Sequence, residues 1–289
     1  MERVASSASQ HDSRATLTSA KVDTQCGDNS ILGSYPEKDS AIVVVGCRRM
    51  GDLVEIMSSL LEDKQIDKYS LYLSLGCVET ISKKDLVYSQ LFSRFTVLEY
   101  HDPPNFPQNS SSYLRIQLHY RFFLRELFEI RHYRRVLILE DDLSLSPSLL
   151  QFFESTSPLF EQDPTIACIS AFNDHALADK ASSTVLRRTA SFPNLGLMFS
   201  DRTYSILWKD QPLDVTTNGW DHWLRIRVAS LHMECVYPAV PRVRHRSTRN
   251  STTASDALSK KLARYPMVTE SAVDLGDISY VRDDSYDQF

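Results

Sequence analysis

The segment VLILEDDLSLSPSLLQFF, residues 136–153, runs four apolar residues straight into three carboxylates, Glu140, Asp141 and Asp142, and then into a second apolar run. A short unbroken apolar run reads as a strand buried on both faces, because a strand with one wet face would alternate. Ser146 and Pro147 read as a helix N-cap and first helical position ahead of SLLQFF, since Ser can cap open N–H groups and Pro has none to satisfy. Strand, acidic turn and helix in succession are the repeating unit of an α/β fold. The turn explains part of the acidity, because Asp suits turn backbone and a helix N-terminus attracts negative charge. Magnitude argues for more. Like charges ~4 Å apart repel by roughly 1 kcal/mol in water and several times that near a protein surface. A cation among the three relieves this. Hard oxygen ligands with no Cys or His cluster nearby point to Mg²⁺ or Mn²⁺ completed by water and phosphate oxygens, which suits a bound diphosphate.

Working outward, the chain alternates. AIVVV from Ala41 reads as a buried strand, and DLVEIMSSLLEDK from Asp52 sets Leu53, Ile56, Met57, Leu60 and Leu61 on one helical face. YSLYLSL from Tyr69 is a second strand, with a weaker helix from about Thr80 to Phe92. FTVLEY from Phe95 is a third strand, closed by the Pro-rich HDPPNFPQNSSS. A long helix is expected from Tyr113 to about His132, then RVLILE as the fourth strand and IACIS from Ile166 as the fifth. This order predicts a mostly parallel sheet with helices on both faces and right-handed crossovers. Ligands bind beyond the C-terminal strand ends of such sheets, which puts the acidic triplet at the ligand edge. Residues 1–39 lack periodic apolar pattern and read as a disordered leader. Residues 40–250 form the expected domain, and 251–289 a C-terminal segment with an acidic tail (Asp274, Asp277, Asp283, Asp284, Asp287).

Composition excludes little else. The net charge of −5 argues against general nucleic-acid binding, and the basic run PRVRHRSTR from Pro241 reads as a solvated loop. No apolar run approaches the ~18–20 residues of a membrane span, and the first 40 residues lack the apolar core of a signal peptide. Five cysteines, Cys26, Cys47, Cys77, Cys168 and Cys235, include no CxxC pair, so a zinc site is not expected. Two disulfides with a spare thiol and five buried thiols fit the count equally.

LEDDLSLSP, CISAFND, FPNLGL and GWDHWLR, in that order between Ala41 and Arg246, resemble the N-acetylglucosaminyltransferase I family, which also contains the O-mannose N-acetylglucosaminyltransferase. The resemblance implies a Rossmann-like GT-A fold and inverting transfer of N-acetylglucosamine from UDP-GlcNAc to a mannose of a glycoprotein glycan. It also implies a β-1,2 linkage, Mn²⁺ as cofactor and the Golgi lumen as location. Carried over, Asp142 holds the metal, Glu140 and Asp141 contact the donor's sugar and ribose, and His119 and Arg49 contact the donor. Asp221 of WDHW is the general base. Arg115, His119 and Phe122 lie at i, i+4 and i+7, so one helix face can present them together. The resemblance further implies disulfides Cys47–Cys77 and Cys168–Cys235, which favour an oxidising lumen.

The sequence departs from the family pattern at three positions. Gly76 stands where an Asp reads the base, Pro241 where a Ser touches the diphosphate, and His222 where the best-known member has a second Asp. The stretch after Arg246 is also shorter than the family's C-terminal domain, which is expected to be truncated or absent. These departures leave a different donor, or a non-catalytic binding relative, as alternatives. Arg242, Arg244, His245 and Arg246 are candidates to meet the diphosphate instead.

Overall fold

The structure is a computed structural model that describes residues 36–47, 49–76, 89–104, 106–107, 110–178, 180–209, 219–246, 260–261 and 263–286. The leader and the helix expected near Thr80 fall on residues largely outside this set.

Four parallel strands make the half of the sheet that the apolar runs foretold. β1 (Ser40–Gly46) is buried along its whole length. It lies between β2 (Tyr69–Leu75) and β4 (Arg135–Glu140), both parallel to it, and β3 (Thr96–Glu99) adds to β2. The alternating side chains of β1 feed two separate cores. Ile42 and Val44 pack on one face with α1 (Met50–Leu61). Ala41 and Val43 pack on the other with α2 (Ser112–Arg125). A strand enclosed in this way has no wet face, which is why its sequence does not alternate. In α1 the expected face is the buried one, through Leu53, Ile56, Met57 and Leu60. Gly46 lets that helix close on the strand, since a Cβ there would stand 2.5 Å from Leu53 Cδ2.

The other half is less regular. After Asp142 the chain forms β5 (Leu143–Leu145), and α3 (Leu149–Thr156) begins later than Ser146-Pro147 predicts. Ser146 Oγ accepts from Ser148 N at 3.2 Å, and Leu149 N donates to Ser146 O, so this pair builds a turn before the helix. β6 (Ile166–Ser170) does not neighbour β4. Between them lies β8 (Leu197–Ser200), antiparallel to both. β9 (Glu234–Pro238) is parallel to β6, and β7 (Leu186–Thr189) closes the edge antiparallel to β9. The eight-stranded order is β3-β2-β1-β4-β8-β6-β9-β7, with β10 (Val243–His245) pairing β5 in a separate ribbon. α4 (Asp201–Leu207), opened by a Ser200–Thr203 capping box, and α5 (Trp220–Ser230) cover the α2 face. The architecture is the expected α/β one, with a mostly parallel sheet between helices.

Cys168 and Cys235 are joined by a disulfide across β6 and β9. Cys47 is also disulfide-bonded, while Cys77 lies outside the described residues. The C-terminal segment packs Tyr265, Val268, Leu275 and Val281 into the fold. It also covers the sheet edge: Leu186 N and Arg188 N of β7 donate to Tyr280 Oη (2.8 Å) and Tyr286 Oη (3.1 Å). Edge amides capped in this way cannot template another strand.

Candidate active site

The C-terminal ends of β1 and β4 meet at the acidic triplet. Asp141 and Asp142 are both buried, and Asp141 N donates to Val45 O at 3.0 Å. Arg49, where β1 turns into α1, ion-pairs with Asp141 and sets Nη2 3.0 Å from Asp142 Oδ2. The β5–β10 ribbon brings His245 to the other side of Asp142, Nε2 to Oδ2 at 3.3 Å. Burial alone would raise the Asp142 carboxyl. Hydrogen bonding and charge from His245, then Arg49, outweigh it and hold Asp142 below the usual carboxylate range. Burial pushes Asp141 up to about 6 against the pull of Arg49. Glu140 is pushed up to about 7 by burial and by the Asp142 charge, although its carboxylate accepts from Tyr120 Oη at 2.7 Å. His245 is raised because the Asp142 carboxylate outweighs the burial that would lower it.

These features bear on whether the residues fit a divalent ion. Among the described residues Asp142 Oδ1 is buried with no partner, beside a carboxylate oxygen that already meets Arg49 and His245. An unsatisfied buried oxygen costs ~1–3 kcal/mol or more, and a cation placed against it removes that cost. Among the described residues no group of three or more His, Cys, Asp and Glu forms a complete cage. A metal at Asp142 therefore takes the rest of its shell from ligand and water oxygens, as a phosphate-bound Mg²⁺ or Mn²⁺ does.

His119 projects from α2 but is only 7% exposed. Its Nε2 lies 2.7 Å from Ser74 Oγ, and its ring stacks on Tyr100 with centroids 5.3 Å apart. Burial pushes it down to about 4, so the ring is neutral at pH 7. It also fills the room beside Gly76, where a Cβ would stand 2.6 Å from His119 Nδ1. Of its two helical companions, Phe122 tilts against the same Tyr100, while Arg115 ion-pairs with Asp102 and lies over Phe106.

Asp221 sits in the first turn of α5. Trp220 beside it is buried and stacks on Tyr120 at 4.2 Å. Tyr120 thus joins the two parts of the site, with its hydroxyl on Glu140 and its ring on the helix that carries Asp221. Asp221 Oδ2 accepts from Asn194 Nδ2 at 3.0 Å. Gly219, at φ +87°, both adopts backbone that disfavours a side chain and leaves room for the carboxylate, since its Cβ would stand 2.7 Å from Asp221 Oδ1.

The solvated-loop reading of the basic run is corrected for its described part. Arg242 is fully buried, donating to Val240 O and Ser183 O at 2.6 Å each. Burial pushes it down to about 10. Its guanidinium lies over the Phe152 ring, with the centroid 5.6 Å away. Arg246 donates to Asp141 O at 2.6 Å and ion-pairs with Glu55, so it braces the acidic turn. Among the described residues of this run, only His245 touches a triplet carboxylate. Its signal was the alternation of Val243 and His245 as the inward pair of a short strand, which three residues are too few to reveal. Asn194 lies inside FPNLGL, and Tyr120 one residue after His119; neither carries a local signal, because its partner is distant in sequence.

The model of the GNT-I family matches residues 9–289. The chain belongs to the GNT-I family. A relative is the alpha-1,3-mannosyl-glycoprotein 2-beta-N-acetylglucosaminyltransferase of Arabidopsis thaliana, 30% identical over 211 residues, which are 70% of this chain and 46% of that protein. The chain thus spans about half the length of this GNT-I relative. Among solved structures, the mannosyltransferase PcManGT from Pyrobaculum calidifontis, in complex with GDP-Man and Mn²⁺, aligns with TM-score 0.44 at 14% identity, covering 71% of this chain and 57% of that one. No helix among the described residues is long and apolar enough to cross a membrane.

Proposed function

We propose that this chain transfers N-acetylglucosamine from UDP-GlcNAc to a mannose of a glycoprotein glycan in the Golgi lumen, with inversion and with Mn²⁺ bound. The observation that carries the reading is Asp142, with its unpartnered oxygen, next to Glu140, whose partner Tyr120 stacks on the Trp220 that precedes Asp221. Asp142 would hold the ion, with His245 beside it. The ion would neutralise charge on the diphosphate leaving group. Arg49, Glu140, Asp141 and His119 bind the donor. Asp221 accepts the proton of the acceptor hydroxyl as its oxygen attacks the anomeric carbon and the bond to UDP breaks. A single displacement inverts the configuration.

The test is UDP release and product analysis with UDP-GlcNAc and an α-mannoside acceptor, in Mn²⁺ and in EDTA. A β-linked product formed only with the metal is expected. An α-linked product, or turnover indifferent to EDTA, would refute the mechanism. A different donor is the second reading, favoured by Gly76, because the His119 ring fills the space a base-reading side chain would need. A panel of UDP, CDP and GDP sugars separates the two.

A further inference from the structure

Asn194 is held from both sides independently of Asp221. Before it, Phe192 is buried with its ring against Trp220 and Phe199. After it, Leu195 O accepts from Ser170 Oγ at 3.1 Å and Gly196 O from Ala171 N at 2.8 Å. Gly196 takes φ +59° in a space where a Cβ would stand 3.1 Å from Ala171 and Val243. The sheet therefore fixes this loop, and from it Nδ2 reaches Asp221 Oδ2 at 3.0 Å. The reverse amide orientation would set two acceptors face to face, so chemistry fixes the donor. Asn194 Oδ1, in turn, is buried without a partner among the described residues. An unpaired buried acceptor costs stability, and an apolar side chain of similar shape would not. What the asparagine supplies here is its contact with Asp221.

We propose that Asn194 is a positioning residue for Asp221. Its N–H occupies Oδ2 and leaves Oδ1, folded over the bare Cα of Gly219, as the oxygen that receives the acceptor's proton. An Asp carboxyl otherwise turns broadly about χ2, exchanging its two oxygens. Holding one of them keeps the base in attacking geometry. The proposal rests on the reading of Asp221 as the general base.

The experiment measures UDP release from UDP-GlcNAc with Mn²⁺ and methyl α-mannoside, alongside thermal unfolding. The variants are Asn194→Ala, Asn194→Leu, Asn194→Gln, Asp221→Asn and the double variant Asp221→Asn/Asn194→Ala. Ala and Leu should lower kcat by about 10- to 100-fold with both KM values unchanged, Gln should restore part of it, and the Leu variant should unfold no earlier than wild type. In the Asp221→Asn background, Asn194→Ala should cost less than about twofold more, because residues acting through one another are not additive. Losses that multiply, an unchanged kcat or a change confined to KM would overturn the positioning role while Asp221 keeps its own. Full turnover in Asp221→Asn, or none in wild type, would overturn the reading of the base and the role of Asn194 with it.

Discussion

The two halves of the sheet carry the two halves of the site in different ways. The β1–β4 half is parallel and regular, and it presents charged groups directly at its strand ends: Arg49 after β1, the triplet from the last residue of β4 onward. The β8–β7 half is interleaved and antiparallel in part, and it presents Asp221 through a helix start, a glycine at positive φ and a loop asparagine. The first half places charge by topology. The second places a single carboxylate by packing, through Trp220 on Tyr120 and Phe192 on Trp220.

The sharpest way to break this contrast is to remove the carboxylate that the second half places. Asp221→Asn should lower kcat by about 10²- to 10⁴-fold, the usual contribution of a general base, while donor binding stays. Loss of donor binding instead would show that the two halves do not divide the work. Next in size is the staple of the irregular half. Replacing Cys168 and Cys235 with Ala opens a link between residues 67 apart in sequence, which should cost about 4 kcal/mol in denaturant unfolding. An unchanged midpoint would mean that packing alone holds β6 to β9.

The contrast also explains what could be read in the sequence. The parallel half was legible because buried strands show as unbroken apolar runs, and the α1 face shows as a 3.6-residue period. β8, β7 and β10 have only three or four residues each, too few for any period, so the insertion of β8 between β4 and β6 left no local trace. The triplet was legible as clustered charge. The partners of the site were not, since His245 lies 103 residues from Asp142 in the chain, Asn194 lies 27 from Asp221, and each meets its carboxylate only through tertiary packing.

A smaller effect sharpens the role of the parallel half. His119 is held neutral with its folded value near 4, below the ~6.5 of an unfolded chain. As pH falls from ~6.5 towards 4 the unfolded state gains a proton that the folded state refuses, so stability drops, by up to about 3 kcal/mol. Above ~6.5 the contribution does not vary. Glu140 and Asp141, raised in the folded chain, act in the opposite direction over the same range. The stability of wild type relative to His119→Gln should therefore fall between pH 7 and 4 in denaturant unfolding; a constant difference would place a charged ring in the folded site. The smallest effect concerns the bridge between the halves. Tyr120→Phe keeps the stack on Trp220 but removes the hydrogen bond to Glu140, and should cost about 1–2 kcal/mol of stability. No change in stability would leave the stack as the only link.

The central claim is that the acidic edge holds a metal-dependent sugar nucleotide, and calorimetric titration of UDP-GlcNAc tests it most directly. Wild type with Mn²⁺ should bind, and both wild type in EDTA and Asp142→Ala with Mn²⁺ should lose that heat. Binding indifferent to the metal and to Asp142, or no heat with UDP-GlcNAc or UDP in any condition, would contradict the account.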